Sequence, residues 1–254
     1  MASSISESTT HDAIRPPAGN LTSDRHCRMA FPTPCSHPAP CGTPCELTLG
    51  PERHAVLELG SLARVAVLAV PGSRGPFREQ AEELFAQLLC LAYSGELAAA
   101  LAYRGHSRSV RSVEEQARIQ QIENEEWQHR SLLREMLKQV GSAPNRFREF
   151  RAWCIGHLLS MFCHCCGGFL PMYAAGKLES RNIREYEIAA RLAFLAGYSE
   201  FVECLLTMAE VEWAHEDYFR SRVIRHCFVR FLPLWQRPLP KEHIRSSFMQ
   251  EYFV

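Results

Sequence analysis

Residues 119–136 read IQQIENEEWQHRSLLREM, and residues 201–219 read FVECLLTMAEVEWAHEDYF. In both, apolar side chains recur every three or four positions: Ile119, Ile122, Leu133 and Met136 in the first, Phe201, Leu205, Met208 and Phe219 in the second. That spacing puts each set on one face of an α-helix. Glu126 and His129 continue the first stripe and Glu212 and His215 the second, at positions where a buried helix face carries hydrophobic residues. Each Glu-x-x-His therefore aims a carboxylate and an imidazole at one inward point.

Working outward, the helical period extends from Pro76, suited to the first position of a helix, to about Ile224, and almost nothing in that range alternates as a strand would. The fold class is therefore all-α. A first helix is expected over about 77–109. Ser112 with Glu115 reads as a capping box opening a second helix, which ends at Gly141. A third is expected over about 180–196, stopping near Gly197, and a fourth over 199–224. The segment 142–179 is left as a long connection, so the expected architecture is two helical hairpins joined by one crossover.

The first and third helices each carry one acidic residue in an apolar stripe. Glu96 lies among Phe85, Leu89, Ala92, Ala99 and Tyr103, and Glu187 among Ile183, Ala190 and Phe194. Glu96 and Glu126 stand about equally far from the first turn, so at roughly 1.5 Å rise per residue they reach the same height in an antiparallel pair. On the third helix Glu185 suits the depth of Glu212 better and Glu187 suits the face. Glu187 is preferred, because Glu187, Ala190 and Phe194 repeat the spacing of Glu96, Ala99 and Tyr103.

Four carboxylates and two imidazoles facing inward would each cost several kcal/mol if left uncompensated. Two divalent cations would compensate them. A Glu from each of two helices with a Glu-x-x-His from each of the other two is the ligand set of ferritin-like di-iron carboxylate bundles, and carboxylate with imidazole suits iron or manganese. Glu123, Glu125 and Glu210 are candidates to orient the histidines from behind.

These paired motifs resemble the ferritin-like di-iron superfamily over about 84–222. Gly95-Glu96 with Tyr103, the 30-residue gap from Glu96 to Glu126 and the apolar crossover are similar to the demethoxyubiquinone hydroxylase family. The resemblance implies that Glu126 and Glu212 bridge two irons and are the catalytic pair, that Glu96 and Glu187 are terminal ligands, and that His129 and His215 each bind one metal. It implies O2 as co-substrate, a lipophilic quinone-like substrate and a hydroxylase activity belonging to ubiquinone biosynthesis. No Gly-rich dinucleotide fingerprint is seen, so electrons are expected from NADH directly or from a separate reductase. A ferroxidase related to ferritin and a metal-free helical interaction protein are the competing readings.

The 254 residues carry 28 Lys+Arg against 28 Asp+Glu, which argues against nucleic acid as the main partner. Hydrophobic residues make up 46%, enough to bury a core. Eleven cysteines and no signal-peptide pattern point to a cytoplasmic protein with reduced thiols, peripheral on the inner face of a membrane if it meets one. Residues 1–50 read as a disordered tail, with unpaired thiols at Cys27, Cys35, Cys41 and Cys45, and 51–75 as a linker holding a short apolar element. The stretch 152–176 contains no Asp, Glu, Lys or Arg; Pro171, Gly167-Gly168 and two histidines favour a partly buried crossover over an interfacial element, and either over a membrane span. Within it, Cys163 and Cys166 read as inert thiols rather than a redox pair. The aromatic, basic extension 226–254 is compatible with a membrane surface, a partner subunit such as a second copy, or the bundle itself.

Overall fold

A computed structural model describes residues 76–166 and 168–253. The tail, the linker and the N-terminal cysteines lie outside the described residues. Within them the chain is all-helical: α1 spans Pro76–Ser109, α2 Val113–Gln139, α3 Arg146–Cys165, α4 Phe169–Ala196, α5 Ser199–Ile224 and α6 Lys241–Phe253, with a 3₁₀ turn at Cys227–Phe231.

The helix ends follow from local chemistry. Ser112 caps α2, its side chain accepting from the Glu115 N–H, and Asn145 caps α3 by accepting from Phe147 and Arg148. Gly141 and Gly197 adopt positive φ (71° and 88°), the left-handed backbone that ends a helix without a Cβ clash. At Gly197 the Tyr198 N–H also returns to the Ala193 carbonyl at 2.8 Å, closing α4 tightly before α5 starts.

α1 packs against α2, α3 and α4, and α4 packs along α5. The expected apolar stripes are the interior: Phe85, Leu89, Ile119, Ile122, Leu133 and Met136 are fully covered, as are Phe201, Leu205 and Phe219. α1 is long and apolar enough to cross a membrane by length and composition, and half of its most apolar window is buried inside the structure.

The main departure from expectation lies in 142–179. It is not an irregular connection: α3 occupies its first half, and α4 begins at Phe169, eleven residues ahead of the expected start. The absence of charge over 152–176 hid the helical period there, because a helix apolar on several sides has no polar face to mark its phase. The uncharged run is broken between the two helices, so it forms no single long helix. α3 lies against α1 at close range, where a Cβ on Gly156 would stand 2.9 Å from the Ala98 carbonyl and one on Gly105 2.5 Å from Ser160 Cα. Its opposite face is open, with Phe150, Trp153, Leu158 and Met161 all about half exposed or more.

The C-terminal extension folds back on the chain's own helices. Trp235 sits against Gly176 and donates to Glu216 Oε1 at 2.6 Å, and Arg220 donates to the same oxygen at 2.6 Å. On α6, Ile244 and Phe248 are buried, while Arg245 bridges to Glu203 and Glu210 of α5.

Candidate metal centre

Glu126 and His129 on α2, and Glu212 and His215 on α5, face the interior where the stripe placed them. Glu126, Glu212 and His215 are 0% exposed and His129 4%. α1 contributes Glu96, 3% exposed. One ligand atom each from Glu96, Glu126, His129 and Glu212 lie within 4.8 Å of one another, and so do one each from Glu126, Glu179, Glu212 and His215. Glu126 and Glu212 belong to both groups.

The α4 carboxylate is Glu179, not Glu187 and not Glu185. Glu187 stands eight residues further along, about 80° round the helix at 100° per residue. It is half-buried beside Arg191 and near His243, on the side that meets α6. Glu185 forms an ion pair with Arg181 at 2.7 Å. The helix expected from about 180 begins one residue too late to contain Glu179, whereas α4 begins at Phe169. Equal depth misdirects here too: Glu179 precedes Gly197 by 18 residues while Glu212 follows it by 15, about one helical turn of mismatch. The available signal was the interval to tyrosine. Glu179 and Tyr186 repeat the seven-residue spacing of Glu96 and Tyr103, whereas Glu187 is followed at that distance by Phe194.

That interval has a structural use. The Tyr103 hydroxyl donates to Glu179 and the Tyr186 hydroxyl donates to Glu96, so each tyrosine crosses to the carboxylate of the other helix. Behind the cluster, His215 Nε2 lies 2.7 Å from Glu125 Oε2. Of the other two candidates for that place, Glu123 pairs with Arg104 and Glu210 with Arg245. The two tryptophans of the motifs pack outside the site, Trp213 donating to the Leu239 carbonyl at 2.8 Å.

Hydrogen bonding leaves the centre of this cluster unsatisfied. Both oxygens of Glu126 and of Glu212, one oxygen of Glu96, and Nδ1 of His129 and of His215 are buried without a hydrogen-bond partner. Yet His129 Nδ1 is 2.9 Å from Glu212, and His215 Nδ1 is 3.2 Å from Glu126 and 3.4 Å from Glu212. Lone pairs converge on one small volume with too few donors among them. Buried acceptors at this density are costly unless a cation or protons intervene.

The protonation equilibria show the same pressure. Burial, reinforced by neighbouring carboxylates, holds Glu96 and Glu179 well above the usual carboxylate range and lifts Glu126 to about 7. Burial pushes Glu212 up as well, but the adjacent His129 and His215 outweigh it and hold it below its ordinary value. For His215 burial favours the neutral ring, and the carboxylates of Glu125, Glu126 and Glu212 overcome it, raising the imidazole. Without a cation the cluster thus reaches near-neutrality by keeping protons on several carboxylates.

The donors present fit metal ions: four carboxylates and two imidazoles, with their orphaned atoms pointing at one another and no thiolate among them. Cys163, buried with its thiol raised to about 11 by burial and by Cys166, belongs to neither group.

A cavity of about 390 Å³ lies between α1, α3 and α4 and reaches the cluster at Glu96, Tyr103 and Tyr186. Its wall is mainly apolar, including Leu88, Ala92, Ala99, Leu159 and Leu178. Small residues on α1 make the space, and a Cβ added to Gly95 would meet nothing within 4 Å. No family model, curated protein or solved structure matches this chain.

Proposed function

We propose that the chain is a di-iron carboxylate protein of the ferritin-like four-helix-bundle class, and that it hydroxylates a lipophilic, quinone-like substrate with O2. The observation that carries this is the pair of overlapping four-residue clusters sharing Glu126 and Glu212, buried and unsatisfied, with an apolar cavity ending against them. In this reading Glu126 and Glu212, common to both clusters, would be shared by two ions, with Glu96 and His129 holding one and Glu179 and His215 holding the other. Manganese would suit the same donors. When bound, the metal pair supplies O2 reduction and electrophilic activation, chemistry that no side chain here can supply.

The chain's own residues do the rest. Tyr103 and Tyr186 fix the terminal carboxylates by donating to one oxygen of each. The cavity admits an apolar substrate to the α1 side of the centre and keeps water scarce beside it. This favours hydroxylation over ferroxidase chemistry, which needs a hydrophilic path for iron. The open apolar face of α3, with Arg146, Arg148 and Arg151 near its start, is suited to rest on an anionic membrane surface, from which a lipophilic substrate would enter. Electrons are supplied by NADH or by a separate reductase.

The test is anaerobic Fe(II) loading of the full chain, followed by O2 with a short-chain quinol. Two irons per chain and a hydroxylated product with one oxygen atom from labelled O2 are expected. Failure to hold any iron or manganese overturns the proposal.

A further inference from the structure

The two halves of the centre match in their ligands and differ in what holds those ligands. On the α4/α5 side, Glu179 Oε2 accepts from Asn182 Nδ2 at 2.9 Å, and His215 Nε2 is bonded to Glu125 at 2.7 Å. Glu125 is itself fixed, accepting from Gln121 at 2.9 Å with the Arg118 guanidinium 3.9 Å away. The corresponding positions of the other half are Ala99, three residues after Glu96, and Val211, the residue before Glu212. Neither can donate or accept. Among the described residues no carboxylate pairs with Nε2 of His129, whose only ion-pair contact is through Nδ1 to Glu212.

A carboxylate on Nε2–H of an imidazole fixes the tautomer, leaves the Nδ1 lone pair for a metal and makes that nitrogen a stronger donor. A second hydrogen bond to a terminal carboxylate removes its rotational freedom before any ion arrives. Both effects fall on the same half. We propose that the two metal positions are unequal: the one formed by Glu179 and His215 is tighter and fills first, because Glu125 and Asn182 position its ligands. This rests on the di-metal reading above. Glu125 and Asn182 are positioning residues and touch no metal.

The experiment is titration of the metal-free full chain with Co(II), a visible stand-in for Fe(II), followed by its d–d absorption and by calorimetry. The wild type should bind in two resolved steps, separated by the roughly 10–100-fold that such outer partners contribute. Glu125→Ala should weaken the first step toward the second, and Asn182→Ala should do so less. Val211→Glu, which offers His129 the missing carboxylate, should tighten the second step. In protein loaded with one Co(II), the His215 Nε2–H should give a hyperfine-shifted proton resonance, slow to exchange, that Glu125→Ala loses while the helical signal in circular dichroism is unchanged. Two equal steps in the wild type, or a Glu125→Ala variant that weakens both steps alike, overturns the inequality and leaves the di-metal reading standing. Absence of Co(II) binding overturns both. Should Glu125→Ala fail to fold, Val211→Glu decides alone, since an unchanged second step would contradict the role assigned to that carboxylate.

Discussion

The hairpin of α1 and α2 and that of α4 and α5 present the same chemistry in different packing. Each offers a Glu, a tyrosine seven residues on, and a Glu-x-x-His on the following helix. In the first, the two glutamates stand at nearly equal distance from the turn; in the second they do not, and α4 runs well past the site into residues with no charge. The cluster tolerates this, because the constraint is convergence of side-chain atoms, which a helix can meet from neighbouring turns. Register and length of the helices are set instead by apolar packing.

The strongest way to break the comparison is to remove the α4 carboxylate. Glu179→Ala should reduce bound metal from two ions to one per chain, by elemental analysis after gel filtration, and Glu187→Ala should leave two. The double change Glu126→Ala with Glu212→Ala should leave none. Retention of two ions by Glu179→Ala would show that the geometry assigned to α4 is wrong.

That α2 and α5 would place Glu126, His129, Glu212 and His215 together was legible because each motif interrupts an otherwise apolar stripe, and the interruption is what periodicity detects. Glu96 was legible for the same reason. Glu179 was not, since it stands just past the uncharged run 152–176, in which every phase of the helix looks alike. Its neighbour Asn182 and the cross-paired tyrosines are visible only in three dimensions, where Tyr103 meets Glu179 at a sequence distance of 76 residues. The exposure of one face of α3 was equally hidden, because composition reports apolar content and not which side is covered.

The apolar cavity between α1, α3 and α4 meets the cluster at Glu96, Tyr103 and Tyr186, so filling it should separate substrate access from metal binding. Gly95→Leu projects into open space. Two metals should remain bound, and turnover of a lipophilic quinol should fall at least tenfold, mainly through KM. Equal turnover would remove the cavity from the route.

Acidity offers a third separation, between the empty and the loaded centre. Glu96, Glu126 and Glu179 have folded pKa values raised above the unfolded value, so the folded chain holds more protons than the unfolded one as pH rises from about 4.5 through about 7. His215, raised above 6.5, acts in the same direction from there upward. Stability of the metal-free protein therefore falls with rising pH across this window. His106, lowered to about 4 by burial, opposes it between about 4 and 6.5 as a single group. Glu212, depressed, contributes only below about 4.5. Scanning calorimetry should give a Tm lower at pH 7.5 than at pH 5 by on the order of 5 °C, each group acting with up to about 1.4 kcal/mol per pH unit. Saturating Mn(II) should erase the deficit at pH 7.5, since metal replaces the protons. A metal-free Tm that rises from pH 5 to pH 7.5 would mean that the carboxylates are not buried together.

The smallest expected effect tests the crossed tyrosines. Tyr103→Phe leaves Glu179 with its bond from Asn182, whereas Tyr186→Phe leaves Glu96 with no hydrogen bond from a residue outside the cluster. Leaving a buried acceptor unpaired costs about 1–3 kcal/mol, and a carboxylate that keeps another donor loses less. Tyr186→Phe should therefore lower Tm more than Tyr103→Phe, by a few degrees. Metal addition should narrow the gap, because an ion takes over the Glu96 oxygen that the tyrosine released. Equal losses before and after loading would show that the hydroxyls serve packing alone, and the difference between the two hairpins would then reside wholly in Glu125 and Asn182.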